Sequence, residues 1–148
     1  MEANNKTNND PNFYRVIVVG GGFAGVGAAI KLKEAGIEDF ILLEKAHEMG
    51  GVWRENTYPG CACDVPSALY SYSFAPNPAW SRIFAEQKEI KQYLFDVVEH
   101  YDVMPNVRLN CEALKAQWCD VENCWIIQTA QGELRSQFAI LACGPMHE

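Results

Sequence analysis

The sequence is short of positive charge: 12 lysines and arginines stand against 19 aspartates and glutamates, a net charge of −7. That balance supplies no basic patch for a nucleic acid or an anionic membrane surface. It also lacks a membrane-spanning run. The uncharged stretch over residues 16–30 has fifteen residues, five of them glycine, whereas a spanning helix needs about 20 apolar ones. The polar, asparagine-rich segment 1–12 has no apolar stretch of the secretory kind and reads as a disordered leader. No internal repeat is present. Six cysteines (Cys61, Cys63, Cys111, Cys119, Cys124, Cys143) contain no C-x-x-C pair, so no metal site is expected. Without an export signal they read as reduced thiols of a cytoplasmic protein.

What remains is an apolar chain with a dense glycine signal. At 148 residues and 49% hydrophobic content it is long enough for one packed domain, burying ~68–70% of its unfolded surface. Residues 16–19 (Val-Ile-Val-Val) read as a buried strand, followed by Gly20, Gly22 and Gly25 in the G-x-G-x-x-G spacing and then a helix over 23–35. Gly20 permits the tight turn, Gly22 lets backbone approach a pyrophosphate, and Gly25 lets helix and strand pack closely. The N-terminus of that helix aims unpaired N–H groups at an anion. A second strand over 40–44 ends in Glu44, nineteen residues beyond Gly25, at the reach of an adenosine ribose. The pattern is that of an ADP-binding βαβ unit.

Gly36 is placed to cap the helix. Residues 45–80 form a long loop punctuated by glycine and proline and rich in aromatics, with a short helical turn over 67–71. A loop of that length in a compact domain points to function. Helical spacing of Ile90, Leu94, Val97 and Val98 predicts an amphipathic helix over 87–101. A third strand follows over 107–109. Segments 113–118, 125–129 and 133–135 alternate like a small antiparallel meander, and 138–142 closes as a fourth buried strand. Cys61 and Cys63, one residue apart, are too close for an unstrained bridge and read as packing or cofactor-lining residues.

This order of elements resembles the Rossmann-like FAD-binding domain of two-dinucleotide flavoproteins, an α/β fold with a parallel sheet and an antiparallel meander. The loop narrows the resemblance. Glu44-Lys-Ala-His-Glu-Met-Gly-Gly-Val-Trp53 is similar to an acid strand leading to a G-G-T-W segment. Tyr58-Pro-Gly-Cys-Ala-Cys-Asp-Val-Pro-Ser-Ala-Leu-Tyr70 resembles the Y-P-G-x-x-C-D-x-P-S-x-x-Y segment of Baeyer–Villiger monooxygenases, and Ile140-Leu-Ala-Cys-Gly144 resembles their A-T-G strand end.

The resemblance implies a family chemistry in which NADPH reduces FAD and a C4a-peroxyflavin converts a ketone to an ester or lactone. It implies that residues 13–148 are the N-terminal portion of an FAD-binding domain. Gly20, Gly22, Phe23, Ala24 and Gly25 would cradle the pyrophosphate, Glu44 would bind the ribose, and Lys45 would border the adenosine. Gly51, Val52 and Trp53 would run beside the ribityl chain and flavin, and Tyr70 would pack at the flavin. Ala62 and Cys63 would line the nicotinamide side, and the backbone of Ala113 would meet the adenine. Asp64 would be the catalytic acid near the reactive edge of the flavin, although an Asp-x-Pro segment can also simply cap a turn.

Three positions depart from the family pattern: Ala62, Ala68 where histidine is common, and Cys143 in place of the A-T-G threonine. They bear on substrate class more than on the flavin. There is one dinucleotide fingerprint where the reaction needs two, so the chain by itself is expected to lack NADPH-dependent turnover. Two other readings fit the same residues: a nucleotide-binding module without turnover, or a portion of an N-hydroxylating or sulfur-oxidising flavin monooxygenase.

Overall fold

The computed structural model describes residues 10–144; most of the leader read over 1–12 lies outside them. Asp10 to Asn12 form a turn in which the Asp10 carboxylate accepts the Asn12 N–H at 2.9 Å. The first strand, β1 (Phe13–Val19), starts earlier than its apolar run because Phe13 and Tyr14 already pair with Arg135 and Ser136. It leads through the glycine turn into α1 (Phe23–Glu34), then β2 (Phe40–Leu43). A Schellman motif ends α1: Ile37 N–H reaches Leu32 O and Gly36 N–H reaches Lys33 O, both at 2.9 Å.

The long loop holds a one-turn helix, α2 (Val52–Glu55), and a 3-10 turn (Ser67–Leu69). The helix α3 (Gln87–His100) follows, then β3 (Val107–Arg108), β4 (Ala113–Cys119), β5 (Cys124–Thr129) and β6 (Gly132–Leu141). All six strands share one sheet in the order β3-β2-β1-β6-β5-β4. Pairing is parallel from β3 to β6 and antiparallel from β6 to β4.

One expectation is corrected here. The segments 133–135 and 138–142, read as two strands, are the continuous ten-residue β6. Its first half pairs with β5 and its second half with β1, overlapping at Arg135 and Ser136. Strand continuity is therefore fixed by two partners in succession, and no turn interrupts it.

Side chains of β1 alternate between two cores, which is why both parities of Val16-Ile17-Val18 are buried. Val16 and Val18 join Val26, Ala29, Ile30, Leu42, Leu94 and Val98 under the helices. Ile17 joins Ile41, Leu43, Cys111, Ile127 and Leu134 on the meander side. Each valine, leucine or isoleucine among them contributes roughly 1.5–3 kcal/mol on burial. A third cluster of Trp53, Cys61, Cys63, Ala85 and Ile90 anchors the loop.

Hydrogen bonds fasten that loop to α1 and α3. The Ser67 hydroxyl is held between the Arg82 and Ile83 carbonyls at 3.0 and 2.8 Å and accepts the Ala85 N–H at 2.7 Å. Tyr72 donates to Phe23 O at 2.5 Å, and its N–H is received by the Tyr93 hydroxyl at 2.8 Å. Burial, reinforced by the neighbouring Tyr93, holds the Tyr72 phenol well above the ordinary tyrosine value. A folded-state value raised in this way gives stability that is present below about pH 10, the unfolded value. That stability is lost as pH rises above it. Melting curves from pH 8 to 11 should show a decline above pH 10 that is shallower in Tyr72→Phe; equal slopes would contradict this.

Among the described residues, no helix is long and apolar enough to cross a membrane, and no group of three potential ligands could hold a metal ion.

Candidate functional site

The fold brings two glycine segments together at the end of β1. Gly20 donates to Leu43 O at 2.8 Å and turns the chain at φ +108, and a Cβ there would stand 2.5 Å from Ala142 O. Gly50 N–H bonds Gly21 O at 2.9 Å, which draws the Gly50-Gly51 turn against the start of α1. A Cβ on Gly51 (φ +53) would lie 3.0 Å from Gly22 Cα, whereas one on Gly22 would meet Gly51 Cα at an ordinary 3.6 Å. No side chain caps α1 and no acid lies in its first turn. Its leading N–H groups have no intrahelical acceptor, and its positive dipole end is uncompensated.

Glu44 lies at the end of β2, 4% exposed. One carboxylate oxygen accepts Gly21 N–H at 2.7 Å. The other accepts Ala46 N–H at 2.9 Å and the Arg54 guanidinium at 3.0 Å. Arg54 is nearly as buried and also reaches Glu55 and the Glu48 carbonyl. Burial works against the Arg54 charge, and the hydrogen bonds to Glu55 and Glu44 more than offset it. Arg54 is a site residue that sequence reading missed; its signal was a lone cation beside an apolar G-G-V-W run. Removing one member of a buried pair costs about 3–5 kcal/mol. Because Arg54 keeps Glu55, Glu44→Ala should cost about 3 kcal/mol, measured by urea unfolding. A loss below about 1 kcal/mol would show that the pair is a surface-type interaction.

Between these groups lies a cavity of about 370 Å³. Of the residues read from the sequence, Gly20, Gly22, Phe23, Ala24, Glu44, Lys45, Gly51, Val52, Trp53, Tyr70 and Ala113 line it. The structure adds Gly21, Gly50, Glu112 and Cys143. A larger cavity of about 520 Å³, walled by Met49, Phe95, Val98 and Leu109, contains none of the glycine-turn donors. The smaller cavity is therefore the candidate site.

Gly25 sits behind the wall, where a Cβ would be 1.8 Å from Gly20 O. Its part is to allow the close approach of α1. Ala62 pairs with Glu86 in an isolated bridge, and Cys63 is buried with its sulfur 3.8 Å from the Ser67 hydroxyl. Neither they nor Asp64 line the cavity. Asp64 is exposed, and no side chain caps the 3-10 turn that follows it. Its charge is felt at Tyr70: burial raises that phenol, the Trp53 hydrogen bond opposes the rise, and Cys63 and Asp64 add to it.

The aromatic end of the cavity is built from interlocked rings. Trp53 Nε1 donates to Tyr70 Oη at 2.8 Å with the rings edge-on, and Phe23 meets Tyr70 edge-on at 5.3 Å. The arrangement thus offers bare backbone donors for an anion, a buried carboxylate beside them, and an aromatic wall beyond.

Residues 18–87 match the NAD(P)-binding Rossmann-like domain family. A Baeyer–Villiger monooxygenase of Streptomyces coelicolor is 46% identical over 134 residues, 90% of this chain and 26% of that protein. One of Pseudomonas aeruginosa is 43% identical, covering 86% of this chain and 24% of that protein. The fold superposes on oxidized steroid monooxygenase bound to NADP with a TM-score of 0.85 and 36% identity, over 90% of this chain and 26% of that one. Cyclohexanone monooxygenase from Rhodococcus sp. Phi1 bound to NADP+ gives 0.86 and 30%, over 93% and 27%. This chain therefore spans about a quarter of the length of the relatives it matches.

Proposed function

This chain is homologous to about a quarter of a Baeyer–Villiger-type flavin monooxygenase, and from that premise we propose that it holds FAD. The observation that carries the reading is the bare N-terminus of α1 facing Gly51, with the Glu44 carboxylate beside it. A pyrophosphate fits that donor set, because backbone N–H groups and a helix dipole attract it and no Cβ stands in front of them. Glu44 uses three of its roughly four acceptor sites on Gly21, Ala46 and Arg54. One remains for a ribose hydroxyl. Lys45 and the backbone of Ala113 border the adenosine end, while Val52, Trp53 and Tyr70 wall the flavin end and exclude water there. FAD, when bound, supplies the redox and oxygen chemistry, which in the parent enzymes of this family is a monooxygenation; the protein binds and orients it.

In this reading the complete activity is NADPH-dependent oxygenation of a ketone-type small molecule, in the cytoplasm. In that activity Asp64 is the acid near the reactive edge of the flavin, and Ala62 and Cys63 serve the nicotinamide side, all three from outside the nucleotide wall. The exposure of Asp64 and the absence of a capping bond support a role other than turn stabilisation. Asp64→Ala should change stability by no more than about 0.5 kcal/mol yet shift the midpoint potential of bound FAD. An unchanged potential would return Asp64 to an ordinary surface loop.

The cavity reading is tested by purifying the protein, recording its flavin absorbance, and identifying the nucleotide released on denaturation. Released FAD supports the assignment. A colourless protein that binds NADPH but not added FAD would favour a nicotinamide-nucleotide module instead.

A further inference from the structure

We propose that Cys119 and Cys124 form a redox-modification site, closing to a cross-strand disulfide when hydrogen peroxide reaches the meander tip. The two residues are direct partners in the β4–β5 register, so their side chains leave the same face of the sheet. Partners in an antiparallel pair have Cα atoms about 4.5 or 5.5 Å apart. Both separations lie inside the range of about 4.4–6.8 Å that a disulfide needs. The register is pinned next door by Trp118 and Trp125, whose rings meet edge-on at 5.7 Å. A hairpin locked in this way cannot slip by one residue and turn the thiols apart.

The two thiols are unequal in a useful way. Cys119 is half-buried and meets solvent, while Cys124 is buried. Burial, the Glu122 carboxylate and Cys119 push the Cys124 thiol up, opposed in part by Arg135. Cys119 is therefore the sulfur that reacts first. Its thiolate attacks one peroxide oxygen, the O–O bond breaks, and a sulfenic acid and one water result. The Cys124 sulfur then attacks the Cys119 sulfur, displacing hydroxide, which leaves as a second water with the Cys124 proton. Two thiols lose two electrons in total, and the peroxide is reduced to two waters.

Cys61 and Cys63 offer no comparable geometry, since i and i+2 side chains of an extended segment share a face but stand about 6.6 Å apart, beyond the roughly 3.5–4.5 Å between Cβ atoms that a disulfide needs. Cys143 is exposed and serves as the internal comparison. The site lies six residues along β4 from Ala113, roughly 20 Å from the nucleotide cavity. Its test needs no cofactor, so its failure and that of the FAD assignment are separable.

The test treats the reduced protein with stoichiometric hydrogen peroxide, blocks remaining thiols, and maps peptides without reduction. The expected result is a Cys119–Cys124 link within one chain, with two free thiols lost and both restored by dithiothreitol. Cys119→Ser should abolish the link. Cys124→Ser should leave Cys119 as a sulfenic acid that dimedone traps. Should Cys124→Ser fail to fold, trapping the transient Cys119 sulfenic acid in the parent chain decides the order of events. Oxidation of Cys119 to a sulfinic acid without linkage, its linkage to any other cysteine, or an unreacted Cys119 while Cys143 is oxidised would each overturn the proposal.

Discussion

Replacing Gly22 with valine should abolish FAD binding while the protein still folds. The backbone at Gly22 is extended (φ −86, ψ −167), a conformation that β-branched residues favour. A Cβ there meets Gly51 at 3.6 Å, an ordinary contact. With Gly51 already touching, the methyl groups extend into the space in front of the α1 donors. The expected loss of affinity is at least about 100-fold, or ~2.7 kcal/mol, with stability changed by less than about 1 kcal/mol. Alanine at the same position should give a smaller loss with the same unperturbed fold. Calorimetric titration with FAD, alongside a thermal melt of each variant, separates the two effects. Unchanged affinity in Gly22→Val would place the pyrophosphate elsewhere.

Gly25, three residues on, should behave oppositely. A Cβ at Gly25 would stand 1.8 Å from Gly20 O and 3.0 Å from Gly20 C, and backbone cannot yield as a flexible side chain would. Helix α1 would have to lift from β1, opening the contact of Val26, Ala29 and Ile30 with Val16, Val18 and Leu42. Gly25→Ala should therefore cost about 3 kcal/mol or more. At this chain length that lowers Tm by ~6–12 °C. Any loss of FAD binding would follow from the lost fold. A melt that matches the parent would show that α1 and β1 tolerate the extra carbon.

The contrast explains how much the sequence could disclose. Three glycines in one motif look alike on paper, yet Gly20 serves a turn, Gly22 a bare wall, and Gly25 a helix–strand contact. That division was readable because each constraint is local to a strand, a turn and a helix N-terminus. The β1-α1-β2 unit, the helix over α3 and the hairpins of the meander were readable for the same reason: their periodicities are carried by neighbouring residues.

What was not readable depends on distant partners. The break placed between residues 135 and 138 vanishes because β6 exchanges β5 for β1 as its neighbour along a single strand. The Arg54–Glu44 pair forms only because the Gly50-Gly51 turn folds α2 back over the end of β2. The glycine pair marks a turn locally, but not which acid Arg54 meets beyond it. Asp64 shows the reverse case: a strongly patterned segment places it on the surface beside Tyr70, and pattern alone could not say how far from the cavity wall it stands.

The measurement that bears most directly on the central claim is a competition titration of the purified protein with FAD, ADP and FMN. Recognition through the α1 N-terminus, Glu44 and the Gly50-Gly51 turn depends on the ADP half. FAD should bind, ADP should displace it, and FMN should not. Displacement by FMN with no effect of ADP, or no FAD binding at all, would contradict the assignment of this cavity.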